Sequence, residues 1–339
     1  MTETIGNSVR GLVIIFTLFS LPVLAQVGGR SSFEFLNVNP GARLAALGGV
    51  NVSAADRDLN FFAANPSLAG DTLAGMASAS YQFYTANIGQ AFISYAHPFR
   101  KIGPVIFGVQ HMDYGTIQGY DASGIETGVF KSGETALMIA KSHQVGNFRF
   151  GATVKSVFSS LAGYRANALL ADLGGVFLHP DKSLSVGLAI KNAGVVLNDY
   201  TTSSSNVPFD VQLGATLKPE HMPMRFSLTG YQLTRKNVTY FNSTSTDSPP
   251  GAFSKVISHF NLGAEILIHR NVNLLAGYNF LAHQALKLTQ GGGGAGFNVG
   301  FSLAVRAVDF AFSRSGYVAG NAAYSFTLST DVQKILTRR

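Results

Sequence analysis

The sequence lacks cysteine, has few charged residues and contains no long apolar run beyond its N-terminal segment. Without cysteine the chain has no disulfide framework, no thiol nucleophile and no thiolate metal site. Only 13% of its 339 residues are charged, which is half of the roughly 25% usual in soluble domains. A soluble fold of this size would have too few charges to cover its surface.

No run of about 18 apolar residues follows the N-terminus, which excludes helical membrane spans. Yet 46% of the residues are hydrophobic, among them 26 phenylalanines, and there are 37 glycines. An apolar chain without long apolar runs is typical of a transmembrane β-barrel. The net charge of +7 is spread over predicted loops and turns, so nucleic acid is not an expected partner.

The first 25 residues have the order of a secretory signal. Arg10 precedes an apolar stretch from Leu12 to Leu21, and small Ala25 precedes Gln26. This order predicts cleavage after Ala25; the alternative is a buried N-terminal helix.

The clearest strand pattern lies near the C-terminus. Large apolar residues at one face alternate with small or polar residues at the other: Phe297, Val299, Phe301, Leu303 and Val305 against Asn298, Gly300, Ser302, Ala304 and Arg306. Successive side chains of a strand point to opposite faces. A greasy face opposite a small, wettable face is typical of a membrane barrel.

Similar segments between residues 73 and 332 predict an all-β fold, an up-and-down transmembrane barrel of about fourteen antiparallel strands, followed by a tail at 333–339. One segment, 224–234, changes phase near Gly230 and predicts a bulge. Connections after even-numbered strands are short. Four after odd-numbered strands are long and polar: 115–132, 195–207, 236–252 and 281–295. This asymmetry is typical of outer-membrane barrels.

Residues 26–72 do not alternate and are too apolar for a solvated linker. Because the lumen of a fourteen-stranded barrel is too wide for its own side chains to fill, this segment is predicted to plug it. Seven charged residues are predicted to face the lumen: Arg149, Lys155, Lys191, Asp210, Arg225, Glu265 and Asp309. They either pair with Arg43, Asp56, Arg57 and Asp58 of the plug or line a polar substrate path.

Several stretches carry a family resemblance. In the N-terminal segment they are Phe35–Asn37, Ala42–Gly49, Asp56, Asp58–Leu59 and Asn65–Leu68; further on they are Asp113–Gly115, Gly119–Asp121, Gly124, Thr127–Phe130, Asn192–Gly194 and Val207–Gly214. In this order they resemble the PorV/PorQ family of the type IX secretion system in Bacteroidota, whose barrels are similar to the fatty acid transporter FadL. FadL has alanine at the position of Ser67. The resemblance marks Arg43, Gly48, Gly49, Asp56, Asp58, Asn65 and Pro66 as plug residues.

The resemblance implies an outer-membrane anchor without enzymatic activity. Such an anchor tethers a PorZ-like surface protein and, through it, PorU- and PorV-like subunits that process secreted cargo and couple it to lipopolysaccharide. The alternative is a FadL-like channel that takes up hydrophobic compounds.

The residues themselves predict no catalytic, cofactor or metal site. No Gly-x-Ser-x-Gly or His-Glu-x-x-His motif occurs, the eight histidines are scattered, and Gly291–Gly294 lies in a predicted loop without the lysine of a phosphate cradle. The candidate partner-binding residues are the aromatics in and beside a long loop, Tyr240, Phe241 and Phe253.

Overall fold

A computed structural model describes residues 31–38, 40–181, 183–201, 205–235, 238, 251–286, 294–317 and 321–336. The predicted signal segment, Tyr240 and Phe241 lie outside these residues. Fourteen antiparallel strands form a closed barrel in which each strand bonds to its neighbours in sequence. The strands are β1 Met76–Phe83, β2 Gly89–Phe99, β3 Gly103–Tyr120, β4 Glu126–Val145, β5 Phe148–Leu161, β6 Tyr164–Leu178, β7 Leu184–Asn198, β8 Asp210–Leu217, β9 Met224–Gly230, β10 Phe260–His269, β11 Val272–Asn279, β12 Phe297–Val305, β13 Val308–Gly316 and β14 Ala322–Asp331.

The barrel closes where β1 pairs with β14, in a register that runs from Met76 opposite Asp331 to Phe83 opposite Tyr324. This closure and the antiparallel order confirm the predicted fold class. Closure leaves no unpaired edge along this seam, which is the condition for strands to cross a lipid bilayer.

The outer face of the barrel is apolar. Exposed side chains alternate with buried ones along the strands, as Phe107 and Val109 do on β3 and Leu137 and Ile139 on β4. A continuous apolar surface of this extent is stable only against lipid, so the strands cross a membrane. Among the described helices, none is long and apolar enough to span a bilayer.

The strands differ in length, which corrects the predicted connections. β3 to β7 have 14 to 20 residues, whereas the other strands have 7 to 11. Most of the predicted loop 115–132 is strand, and β7 continues into the predicted loop 195–207. We call residues 116–131, where β3 and β4 pair with each other and with no other described strand, the β3–β4 ribbon. Both of its faces meet water, so the sequence there has no apolar alternation to detect.

The predicted bulge near Gly230 is wrong. β9 ends at Gly230, and the next residue, Tyr231, is buried and donates its backbone N–H to His259 O at 2.9 Å. The change of phase therefore marks the end of a strand. Register shifts occur instead in the β3–β4, β6–β7 and β10–β11 pairs.

The short helices are α1 Ala42–Ala46, α2 Ala252–Ile257, α3 Phe280–Leu286 and α4 Val332–Leu336, and 3-10 turns span Glu34–Asn37, Leu59–Ala63, Pro66–Leu68, Asp71–Leu73 and Thr85–Asn87. The described part of residues 31–75, which we call the plug, packs inside the barrel. Its Phe33, Phe35 and Phe62 pack on the inner faces of β2 to β6. A second group of plug residues around Leu44 and Leu47 packs on Val176 of β6 and Leu275 of β11.

Candidate functional site in the plugged lumen

Glycines of the barrel wall let the plug backbone approach very closely. A Cβ atom at any of four of them would lie only 1.9–2.3 Å from a plug atom. The four are Gly151, Gly174, Gly187 and Gly277, on β5, β6, β7 and β11. Any side chain at these positions would occupy space that the plug now fills, so the wall is shaped to this segment.

Amide side chains of the wall hold the plug by its carbonyl oxygens. Gln110 Nε2 donates to Phe35 O and Val38 O at 3.1 and 2.9 Å. Asn261 Nδ2 donates to Leu47 O and Val50 O at 2.8 and 2.7 Å. Since these bonds come from opposite sides of the barrel, they fix the plug laterally.

Asn65 of the predicted plug motif connects the plug to itself and to the wall. Its Oδ1 accepts from Ser67 N at 3.0 Å and from Ser67 Oγ at 2.7 Å. Its Nδ2 donates to Val52 O at 2.7 Å and lies 3.3 Å from Leu188 O of β7. Ser67 thus uses its hydroxyl in a bond that alanine could not make.

The two motif glycines end α1. Gly48 and Gly49 have φ values of 93° and 84°, in the left-handed region that glycine adopts most readily. A Cβ on Gly48 would also lie 2.0 Å from Asn261 Oδ1. Glycine is therefore required at Gly48 by both backbone conformation and space.

Five charged side chains form what we call the ion-pair cluster: Arg43, Asp56, Asp58, Arg225 and Glu265. Arg43 Nη2 lies 2.5 Å from Asp56 Oδ2 and 2.8 Å from Glu265 Oε1. Arg225 Nη1 lies 2.6 Å from Asp56 Oδ2, and Arg43 Nη1 lies 3.7 Å from Asp58 Oδ2. Plug and wall both contribute, so two of the wall charges predicted to face inward, Arg225 and Glu265, do pair with plug residues.

The two aspartates of the cluster have opposite pKa shifts. Burial alone would raise the pKa of Asp56, but Arg43 and Arg225 together lower it well below its usual range. For Asp58, burial raises the pKa to about 6, because the more distant Arg43 offsets little and the charge on Asp56 adds to the rise. With all five groups ionised the cluster has one more negative than positive charge, and a proton on Asp58 neutralises it.

Replacing Asp58 with asparagine should stabilise the folded barrel at neutral pH. The folded protein holds a proton on Asp58 that the unfolded chain releases above its ordinary pKa of 3.8. Stability is therefore lost as pH rises from about 4 through about 6. Asp58→Asn removes this loss and keeps the side-chain oxygen that accepts from Asn60 N at 3.0 Å.

We expect a gain of about 1–3 kcal/mol at pH 7.5, since Asp58 is partly exposed and the full shift is discounted for solvent. Urea unfolding in detergent micelles at several pH values measures it. The two proteins should become equally stable near pH 4. A gain that stays constant with pH would show that the substitution acts through something other than this proton.

Other charges predicted to face the lumen lie beside oppositely charged residues of the wall. Lys155 Nζ lies 2.6 Å from Asp172 Oδ2 on the neighbouring strand and donates to Asn192 Oδ1 at 2.8 Å. Lys191 faces Asp210 across the β7–β8 pair. These four charges balance within the wall, where Asn192, at φ 56°, anchors the register shift of β7.

The remaining predicted charges lie at the rim of the plug. Arg149 Nη1 is 3.4 Å from Ser67 O, and Arg57 of the plug pairs with Asp331 at 2.8 Å. Asp309 lines a cavity beside Arg57.

Phe253, one of the predicted partner-binding residues, is 79% exposed on α2. Its side chain is therefore accessible at the surface.

Two cavities flank α1 along the same wall. The upper cavity, about 240 Å³ on the side of the long connections, is lined by Ala45, Gly49 and Ser325 among others. The lower cavity, about 290 Å³ on the side of the short turns, is lined by the charged residues Arg43, Asp58 and Asp309. Ala42 of α1, which lies beside them, donates its backbone N–H to Thr327 Oγ1 of β14 at 2.8 Å.

Within the described ranges, no three His, Asp or Glu side chains converge in a way that could hold a metal ion. In the described residues the lumen is instead a packed interior whose polar contacts are hydrogen bonds and ion pairs.

Among solved structures, the chain is similar to a FadL homologue of Pseudomonas aeruginosa, with a TM-score of 0.47 and 11% identity over 86% of this chain and 98% of that one. It is also similar to a TodX monoaromatic hydrocarbon channel with the deltaS2 mutation, with a TM-score of 0.49 and 13% identity over 86% and 98%. A third is Omp33 of Acinetobacter baumannii, with a TM-score of 0.36 and 9% identity over 75% and 95%.

The structural neighbours are outer-membrane β-barrels. Identities this low relate the chains by fold alone. No protein-family model matches the sequence, and no curated protein is detectably similar to it in sequence.

Proposed function

We propose that this protein is an outer-membrane anchor without enzymatic activity, which holds a soluble PorZ-like protein at the cell surface and so links it to PorU- and PorV-like subunits of a type IX attachment complex. Cargo processed there is coupled to lipopolysaccharide. The identity of the partner is inferred from the family resemblance of the sequence. The physical argument comes from the way the plug is held in the lumen.

The observation that carries the proposal is how firmly the plug is fixed. Wall glycines, amide side chains and the ion-pair cluster all bind it, and in the described residues the apolar half of the lumen is filled by Phe33, Phe35 and Phe62. A channel for hydrophobic compounds needs an open apolar route. A static anchor needs a sealed barrel and an exposed surface, and a firmly fixed plug supports the first of these.

The β3–β4 ribbon supplies a surface. It extends roughly 15–20 Å beyond the neighbouring strands, for a rise of ~3.3 Å per residue and a tilt of ~40°. Ile117, Ile125 and Val129 are exposed on it although it lies beyond the lipid-facing band. Among the described strands none pairs with its outer edges, and exposed edges and apolar side chains together favour protein contact.

Replacing residues 116–131 by a two-residue turn should release the PorZ-like protein into the medium and leave cargo unattached, while the barrel still assembles. Assembly should persist because the ribbon pairs with no other strand. The matched control replaces Ala162–Gly163, the tight turn of the β5–β6 hairpin, by Asn-Gly. Phe253→Ser tests the exposed aromatic of α2 in the same way.

Affinity isolation from gently solubilised outer membranes measures partner retention. If the wild-type protein isolates no PorZ-like partner, the anchor role is wrong. If the wild type does and both variants do as well, the anchor role stands and its contact surface lies elsewhere.

A second candidate is a gated channel, which one observation favours: the upper and lower cavities are lined by residues on the two sides of α1. Both polar and apolar groups line each cavity, so the lining does not by itself select hydrophilic over hydrophobic solutes. Steady conductance of the unmodified protein in planar bilayers would favour this candidate over the anchor.

A further inference from the structure

The lipid-facing side of β2 to β5 has a groove in the middle of its apolar surface. Its rims are exposed apolar side chains: Ile93, Phe107, Val109, Leu137, Ile139 and Val154. Its floor is formed at Gly108 and at Ser94 and Met138, whose side chains are buried on the inner side of the wall. A concave apolar wall gives an acyl chain more contacts than a flat wall does, so this groove favours lipid over the rest of the surface.

Further up the same strands the outer face becomes small and polar. Thr135 is the next outward residue after Leu137 on β4, and His111 Nδ1 lies 2.8 Å from Thr135 Oγ1. The outward residues beyond it, Gly133 of β4 and Ser160 of β5, pair with each other. Here a lipid headgroup would find hydroxyl and imidazole partners, and glycine leaves room for it.

Two cations stand above this polar level. Lys131 lies two residues beyond Gly133 on β4, and Arg165 of β6 pairs with Ser160 of β5. Both are exposed, and neither side chain makes an ion pair or hydrogen bond with any described residue. Two strand spacings of ~4.8 Å and two residues of ~3.3 Å put their Cα atoms about 12 Å apart. Their long side chains can therefore close on one phosphate group.

The tilt of the strands places these cations over the groove. A row of paired residues rises from β3 towards β7, since more of each later strand lies below it: Val105, Lys141, Ala152, Leu173 and Ile190. With a tilt of ~40°, a line along the membrane normal crosses about two strands within the roughly 15 Å of one leaflet. Such a line leads from Leu137 towards Arg165, and from the β2 rim of the groove towards Lys131.

We propose that Lys131 and Arg165 bind the phosphate of an outer-leaflet lipid whose acyl chains end in the groove. In a Gram-negative outer membrane the phosphorylated lipid of that leaflet is lipid A, the membrane anchor of lipopolysaccharide. Basic residues beside an apolar wall are a common headgroup site. The nearby acid Asp113 accepts from Gly115 N at 2.8 Å and pairs with neither cation. This inference is independent of the anchor role.

Native mass spectrometry tests the inference on the whole chain, refolded in detergent so that no membrane lipid is carried over. The protein is titrated with diphosphoryl lipid A, with lipid A stripped of both phosphates, and with phosphatidylglycerol. We expect one diphosphoryl lipid A to bind first, at least about tenfold more tightly than either other lipid, because charge-assisted hydrogen bonds to phosphate are strong. Glucosamine 1-phosphate, which has no acyl chain, should not displace it.

Two variants separate the headgroup from the groove. Lys131→Gln/Arg165→Gln should weaken binding of diphosphoryl lipid A at least about tenfold and leave the dephosphorylated form unchanged. Ser156→Leu puts a side chain into the groove and should weaken both. The matched controls are Arg314→Gln, an exposed cation near the upper end of β13, and Ala264→Leu on the outer face of β10; neither should change binding.

Heat-shift on gels shows which variants have folded, and the comparison of lipids on the unmodified protein needs none of them. Equal binding of phosphorylated and dephosphorylated lipid A would overturn the inference, since the groove alone would then explain it. Equal binding of phosphatidylglycerol would overturn the assignment to lipid A. A loss in Arg314→Gln as large as in the double variant would show general attraction to a basic barrel instead of a site.

Discussion

Gly174→Leu should turn a sealed barrel into an open pore. A Cβ at this position would lie 1.9 Å from Asn65 Oδ1 and 3.0 Å from Ser67 N. Overpacking of even one methylene commonly costs about 1–3 kcal/mol, and here the whole leucine side chain would overlap the turn that Asn65 holds. The plug should leave its place, and single-channel recordings in planar bilayers should show large, steady openings that the wild type lacks.

Gly175, the next residue on β6, provides the matched control. Its side chain would point outward, where the nearest atom is Phe150 Cδ1 at an ordinary 3.7 Å. Gly175→Leu should therefore remain as closed as the wild type. Equal conductance of the two variants, with both barrels folded by heat-shift on gels, would mean that the plug does not seal the lumen.

Arg43→Ala should be among the most destabilising single substitutions in the plug. It leaves Asp56 and Glu265 with Arg225 as their shared partner in the cluster, and breaking a buried ion pair by removing one partner costs about 3–5 kcal/mol. Arg43 also lies over the Phe61 ring, with its Cζ 5.2 Å from the ring centroid, and that contact is lost as well. Urea unfolding at neutral pH measures the cost.

The double variant Arg43→Ala/Glu265→Gln distinguishes charge from packing. Removing one negative charge together with the positive one should restore about 1–3 kcal/mol relative to Arg43→Ala alone. Simple additivity of the two single substitutions would show that Arg43 acts through its size and its contact with Phe61 rather than through the cluster.

Alternation made the barrel predictable from sequence, because lipid on one side and a polar lumen on the other separate the residue types of each strand. It is weak where that contrast is missing. On β6, Leu170, Asp172 and Gly174 face inward while Leu169, Ala171 and Leu173 face outward. Both sets are mostly apolar, so the inward position of Asp172, the partner of Lys155, could not be read.

The site was predictable only in part for a similar reason. Family resemblance marked Arg43, Gly48 and Asn65, and their surroundings explain why those residue types are needed. Glu134 was not predicted to face the lumen, although it is buried there and accepts a hydrogen bond from Tyr114 Oη at 2.5 Å. Its strand, β4, is apolar on the outside and mixed on the inside, and no local signal distinguishes an inward glutamate there.

The fit between plug and wall also constrains the order of assembly. The plug precedes β1, yet it bonds to both strands of the closing seam, to Ser80 on β1 through Asn60 and to Thr327 on β14 through Ala42. If the wall closed first, this folded segment would have to pass the close contacts at Gly151 and Gly277 to reach its place. We therefore expect the plug to be enclosed as the last strand pairs with the first, which would make it a template on which the cylinder is completed.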